Sequence, residues 1–199
     1  MAKRRKNWIT LAIIAVIALF LYSSTKGSYN GMVQKSEAVD TQWANVENVF
    51  QRRADLIPNL VSTVKGYADF EQETLTSVIE ARSKATGINI DASNMTTESL
   101  AQFQNAQGQL SSALSKLMVV VERYPDLKAN QNFMDLQAQL EGTENRIATE
   151  RRKFNETARD YNTFIRMFPK NIWANVFGFE KRPYFEAVKG ADQAPIVEF

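Results

Sequence analysis

The stretch NFMDLQAQLEGTENRIATERRKFNETARDYNTFIRMF, residues 132–168, decides the fold. Positions 133, 140, 147, 154, 161 and 168 are Phe, Leu, Ile, Phe, Tyr and Phe, six apolar residues in succession at a spacing of seven. Two turns of α-helix take about 7.2 residues, so this spacing lays one stripe along one helix face, whereas a strand would scatter it over both faces. Leu136, Phe164 and Ile165 widen the stripe, while Thr143, Glu150 and Thr157 leave its second row polar. That pattern is a bundle face more than a pure coiled-coil seam.

Working upstream, Leu100, Phe103, Gln107, Leu110, Leu114, Leu117 and Val121 keep 3-4 spacing, with Thr97 as N-cap and Tyr124-Pro125-Asp126 as the stop. Met32, Val39, Trp43, Val46 and Phe50 form another stripe, continued by Ile57, Leu60, Val64 and Tyr67 and then by Leu75, Val78, Ile79 and Ala85 as far as Gly87. GINIDASNMT, residues 87–96, is a loop. From Tyr29 to Met167 no period-2 alternation argues for strands. Pro58 is ambiguous because the apolar phase runs straight through it. One helix over 29–86 would be roughly 87 Å long, against roughly 39 Å for 98–123 and roughly 55 Å for 131–167. Matched lengths favour a break near Asp55–Pro58 and four antiparallel helices at about 29–54, 57–86, 98–123 and 131–167. The predicted fold class is therefore all-α, an N-terminal transmembrane helix followed by an antiparallel four-helix bundle. The alternative is three long helices with the first kinked at Pro58.

Ahead of the bundle, Lys3, Arg4, Arg5 and Lys6 precede WITLAIIAVIALFLY, residues 8–22, and no charge appears before Lys26. Those 18 residues span roughly 27 Å, enough for a bilayer core of about 30 Å, and Trp8 and Tyr22 bracket it as an aromatic belt would. A cleaved signal peptide is the rival, but no A-x-A-like pair precedes a cut, and Phe20, Leu21 and Tyr22 crowd its place. The positive flank stays cytoplasmic, so the expected protein is single-pass, N-terminus inside and bundle on the extracytoplasmic, periplasmic side. The expected divisions are a basic N-terminus (1–7), an anchor (8–25), a bundle (26–168), an aromatic and basic membrane-proximal segment (169–185) and a flexible tail (186–199).

Composition excludes much chemistry. Among 199 residues there is neither cysteine nor histidine, which removes disulfides, thiolate nucleophiles, lipoprotein attachment and imidazole acid–base catalysis. The net charge of +2 comes from 24 Lys and Arg against 22 Asp and Glu, and without the four N-terminal cations the balance is 20 against 22. The body is thus no nucleic-acid binder. Glu141, Glu144 and Glu150 invite a di-metal site, but bundle di-metal sites use Glu-x-x-His pairs, so no metal and no cofactor are expected.

RRADLIPNLVSTVKGYADFE (52–71), EARSKATG (80–87), ERYPDLKANQNFMDLQAQLEGTENRIATERRKFNETARDYN (122–162) and the later FP and GF pairs (168–169, 178–179) resemble the LemA family over nearly the whole chain. The resemblance implies a single-pass bacterial membrane protein with a mostly helical soluble domain and no established enzymatic activity. A related magnetosome protein implies a part in membrane shaping or compartment assembly. Some family members look like lipoproteins, which this cysteine-free chain cannot be.

Three surfaces stand out. Arg52, Arg53, Asp55, Pro58 and Asn59 form either a partner-binding knuckle at the bundle's far end, beside the Tyr124–Lys128 turn, or a capped helix start with local arginine pairs. Asn145, Ala148, Arg152, Asn155, Arg159, Asn162 and Arg166 make a second stripe without acids, either a self-assembly or partner face, which arginine and asparagine suit, or an ordinary polar face. Trp173, Phe177, Phe179, Lys181, Arg182 and Tyr184, with Phe185, return to the membrane end, either as a lid on the core or docked among headgroups. Together these predict a non-enzymatic scaffold or adaptor of the bacterial envelope, expected to contact the lipid bilayer, to form homo-oligomers and to meet other envelope membrane proteins. The alternatives are an accessory partner of a membrane protease or secretion machine, a binder of lipid or a small ligand, and an enzyme using paired carboxylates.

Overall fold

The computed structural model describes residues 2–66 and 71–186. Among them every regular element is helical: α1 (Ala2–Lys65), α2 (Gln72–Thr86), α3 (Thr97–Val121), α4 (Pro125–Lys128), α5 (Gln131–Arg166) and α6 (Lys170–Phe177), with a 3-10 turn at Ala92–Asn94. The all-α expectation holds. Tyr67 and most of the tail expected over 186–199 lie outside the described residues.

α1 does two jobs along one axis. Its N-terminal part carries an 18-residue window of mean hydropathy 2.0, and side chains there such as Ile9, Ile13, Leu19 and Phe20 are exposed. This is a helix long and apolar enough to cross a membrane. From Met32 onward the same helix buries Met32, Val39, Trp43, Val46, Phe50, Ile57, Leu60 and Val64, the periodic stripe read from the sequence.

The break expected at Asp55–Pro58 is not there. α1 passes through Pro58 and ends at Lys65, so α2 covers 72–86 instead of 57–86. Proline has no N–H for the carbonyl of Ala54, one turn back, which should cost the helix dearly. Arg82 of α2 supplies the missing donor, its Nε reaching the Ala54 oxygen at 2.8 Å. The kinked three-helix alternative has the continuity right but overlooks the break that makes α2 a separate helix.

Cross-links show the directions. Arg82 meets Ala54, Gln107 donates to the Ala85 carbonyl, and Arg53 reaches both Gln107 and Glu144, so all four helices share one height there. α1 ascends from the span, α2 descends, α3 ascends and α5 descends, the antiparallel order expected. At the end of the bundle remote from the apolar part of α1, Arg123 pairs with Glu71 at 2.6 Å. The α3 cap is Thr96, not Thr97: its hydroxyl accepts from Ser99 N–H while the Ser99 hydroxyl accepts from Thr96 N–H, a reciprocal capping box. Asn130 caps α5 by accepting from Phe133 N–H at 3.1 Å.

The interior has two parts. The distal part is mostly aliphatic, built from Leu60, Val64, Leu75, Val78, Leu110, Leu117, Val121 and Leu140 with their neighbours. The membrane-proximal part is aromatic, around Trp43, Phe50, Phe103, Phe154, Tyr161 and Phe185. Trp43 meets Phe103 and Phe154 edge-on and stacks on Phe185 at a centroid distance of 6.0 Å. Phe168, the last member of the opening stripe, is 82% exposed, because α5 ends at Arg166 before the next turn can bury it.

Candidate interaction surfaces

Arg53 sits between the two core regions and is only 1% exposed. Its Nη1 donates to Ser111 Oγ at 2.8 Å and to Glu144 Oε1, its Nη2 to Gln107 Oε1, and its plane lies over the Phe50 ring at 5.2 Å. A buried cation survives only when paired and hydrogen-bonded, and α3 and α5 combine to do that here. Its Nε is the one nitrogen left without a partner. The predicted knuckle is therefore dispersed. Arg53 points inward, whereas Arg52, Asp55, Pro58 and Asn59 are exposed near the C-terminal end of α1, with Asp55 accepting from Gln51 at 2.8 Å and not acting as a cap. Leu127 of the Tyr124–Lys128 turn and Ile57 of this stretch belong to the same distal core.

The asparagine and arginine stripe on α5 divides along its length. Asn162 accepts from Arg182 N–H at 2.8 Å and donates to the Arg182 carbonyl at 2.8 Å, and Asn155 does the same to Phe185 at 2.8 and 3.0 Å. Two asparagines seven residues apart thus hold three-residue-spaced backbone amides of an extended strap, residues 179–186, as a neighbouring strand would. Arg182 is itself almost buried: it donates to Ser36 Oγ at 3.0 Å and to the Ala92 carbonyl, and lies 3.1 Å from Asp40. Burial pushes the Asp40 carboxyl above its ordinary value although Arg182 opposes the shift. Asn145, Arg152 and Arg159 remain exposed beside the strap.

The membrane-proximal aromatics also divide. Phe185 is buried, Trp173 and Phe179 are half-buried, and Phe177 and Tyr184 are exposed; Lys181 is exposed while Arg182 belongs to the strap's anchorage. Phe177 packs edge-on against Tyr29 at 5.0 Å, and Gly178, at φ +73°, ends α6 so that the strap can turn back along α5. Gly31 lets α1 and α5 approach closely, since a Cβ there would meet the Phe164 ring at 2.5 Å.

An open groove of about 1110 Å3 crosses α3 between α2 and α5, and Arg53, Glu80, Lys84, Lys116, Glu144 and Arg151 mix both signs along it. Hydrogen bonds from Lys153 and Gln42 hold the Glu150 carboxyl below its usual range, the opposite of what a general acid needs. No group of three Asp or Glu among the described residues is placed to hold a metal.

Comparison with known proteins fits this arrangement. The LemA family profile matches residues 42–199, which begin inside α1 beyond the span and include the Arg53 junction, the α5 stripe and the strap. The chain belongs to the LemA family. It is 29% identical over 206 aligned residues to magnetosome protein MamQ 2 of Paramagnetospirillum magneticum, an alignment covering 94% of this chain and 73% of that protein. Magnetosome protein MamQ of Magnetospirillum gryphiswaldense is 27% identical, with 92% of this chain and 74% of that one covered. Protein LemA of Metamycoplasma hominis is 25% identical, with 92% and 79% covered.

The LemA-like stretches acquire physical roles here. RRADLIPN and EARSKATG meet through Arg82 and the carbonyl freed by Pro58, and GTENRIATERRKFNETARDYN carries both strap-holding asparagines. Sequence reasoning gave no role to Arg82, Ser111, Asp40 and Ser36 and placed Gln107 only in the α3 stripe; each is a single polar residue whose partner is remote in the chain. Exposed Ile172 and Val176 also went unremarked, although IWANV places them one turn apart.

Proposed function

We propose that this LemA-family chain is a membrane-anchored, non-enzymatic scaffold or adaptor, with its N-terminus cytoplasmic and its bundle on the extracytoplasmic side. The observation that carries this reading is the unbroken helix from Asn7 to Lys65. With no linker between span and bundle, every copy in a membrane stands at the same height and presents the same faces sideways. Confinement to a plane raises the effective concentration of those faces, so weak lateral contacts suffice for assembly. Exposed Asn145, Arg152 and Arg159 on α5 are the contact residues we assign, because arginine and asparagine serve interfaces better than lysine and glutamate do. Similarity to proteins named for the magnetosome supports work on a membrane-bound structure.

The test is the mass of the full-length protein in mild detergent and in nanodiscs by light scattering, for wild type and Arg152→Glu/Arg159→Glu. A defined multi-subunit mass that falls in the variant is expected. One subunit per particle at every concentration would overturn self-assembly.

A further inference from the structure

α6 is apolar on the wrong side. Its inner surface buries Ala174 and half-buries Trp173, yet its outer surface carries Ile172, 49% exposed, and Val176, 65% exposed, one turn apart. Met167 and Phe168, just ahead of α6 in the chain, are exposed as well. Asn171 and Asn175 are exposed beside Ile172 and Val176, so the outer surface is one polar and one apolar stripe, and an exposed apolar stripe of this kind needs something to cover it.

Its height identifies the cover. Phe177 packs on Tyr29 and shares a shallow cleft of about 330 Å3 with Tyr22, Thr25 and Lys26. Lys26 is the first charge after the uncharged span, and Tyr29 lies roughly 5 Å farther along the helix. α6 is therefore held at the depth where acyl chains give way to headgroups. The charges agree. Neither Trp8–Ser36 nor Tyr161–Phe179 contains a carboxylate, Glu180 being the first after α6, while Lys26 and Lys170 supply cations at the base of the bundle. Lys170 Nζ rests 3.9 Å above the Phe164 ring centroid, which keeps its stem against the bundle base and its charge near the rim.

We propose that α6, together with Met167 and Phe168, is a second membrane contact that lies in the interface of the leaflet from which the span emerges. Ile172, Val176 and Phe168 enter the tops of the acyl chains, and Lys26 and Lys170 sit on lipid phosphates. Because α1 is one rod through span and bundle, this second contact fixes the tilt and rotation of the whole protein. A span alone would leave both free.

The absence of cysteine makes the test direct. Single variants Ile172→Cys, Val176→Cys and, as an exposed control on α3, Ser112→Cys carry a nitroxide on the full-length protein in phosphatidylcholine–phosphatidylglycerol vesicles. Power saturation then compares access of oxygen with access of a water-soluble nickel complex. The ratio of oxygen to nickel access at 172 and 176 is expected several-fold above that at 112. Equal ratios at all three sites would overturn the proposal, and so would protection from both reagents with spin–spin broadening, which would mean that a second copy covers the patch. An Ile172→Asp/Val176→Asp variant labelled at Phe168→Cys should keep the wild-type melt, since both sites are exposed, and lose the oxygen preference. Retained immersion in that variant would also contradict the proposal.

Discussion

The two halves of the bundle reach the same cross-section by different means. Far from the membrane, α1, α2, α3 and α5 surround an aliphatic interior, four helices filling four positions. Near the membrane α2 is absent, and the chain at 87–96 and 179–186 takes its place against α1, α3 and α5. Large aromatic rings there fill the space, and asparagine side chains satisfy the backbone groups that a helix would have satisfied internally. The lesson is that extended chain can stand in for a helix when the neighbouring helix offers amide side chains at two-turn spacing.

The largest effect that would sharpen this contrast comes from the aromatic interior. Phe154 is fully buried, and Phe154→Ala should cost about 3–5 kcal/mol of unfolding free energy, measured by denaturation of the full-length protein in mild detergent. A loss below about 1 kcal/mol would mean that the proximal half packs loosely. Next comes the strap. Asn162→Ala leaves the buried N–H and C=O of Arg182 without partners and should cost about 2–3 kcal/mol, with Asn155→Ala milder because its bonds are only part-buried. Hydrogen exchange should show the Arg182 and Phe185 amides losing protection while the amides of α2 keep theirs. Equal loss in both halves would break the comparison.

This is also where reading the sequence stopped. The stripe at 133, 140, 147, 154 and 161 was legible because each member faces the core for the length of α5, and the period needs no remote information. Phe168 shares the period but not the burial, since its helix gives out at Arg166, just ahead of the Phe168-Pro169 pair. Pro58 read as a break because its remedy, Arg82, lies 24 residues farther along the chain. Asn155 and Asn162 announced a contact face by residue type and spacing, yet nothing local says that the contact includes the chain's own strap. EKRPYFE has no periodicity to give it away.

Two smaller effects probe the cross-links. Arg82→Ala should cost about 1 kcal/mol in the wild-type background, because the Ala54 carbonyl then lacks a donor. In Pro58→Ala the restored helix N–H satisfies that carbonyl, so the same change should cost less. A double-mutant cycle with no coupling would refute the account of Pro58. The smallest effect concerns Asp40, whose carboxyl binds its proton more tightly in the fold than in the unfolded chain, chiefly through burial, with Glu37 and Asp91 adding to the shift and Arg182 opposing it. More protons bound in the native state means that this group's contribution grows as pH falls and fades as pH rises through its folded value. The melting temperature of wild type relative to Asp40→Asn should therefore become more favourable between neutral and mildly acidic pH. A flat or reversed difference would contradict the assignment.

Everything proposed for orientation and lateral contact depends on α1 continuing past Pro58 through the full height of the bundle. Double electron–electron resonance between nitroxides at Asn30→Cys and Ser62→Cys, in full-length protein in nanodiscs, tests that directly. Both positions are exposed, and the 32 helical steps between them predict a single narrow distance of roughly 48 Å. A broad distribution centred well below roughly 40 Å would mean that the chain turns back near Pro58, contradicting the continuous helix and the fixed orientation built on it.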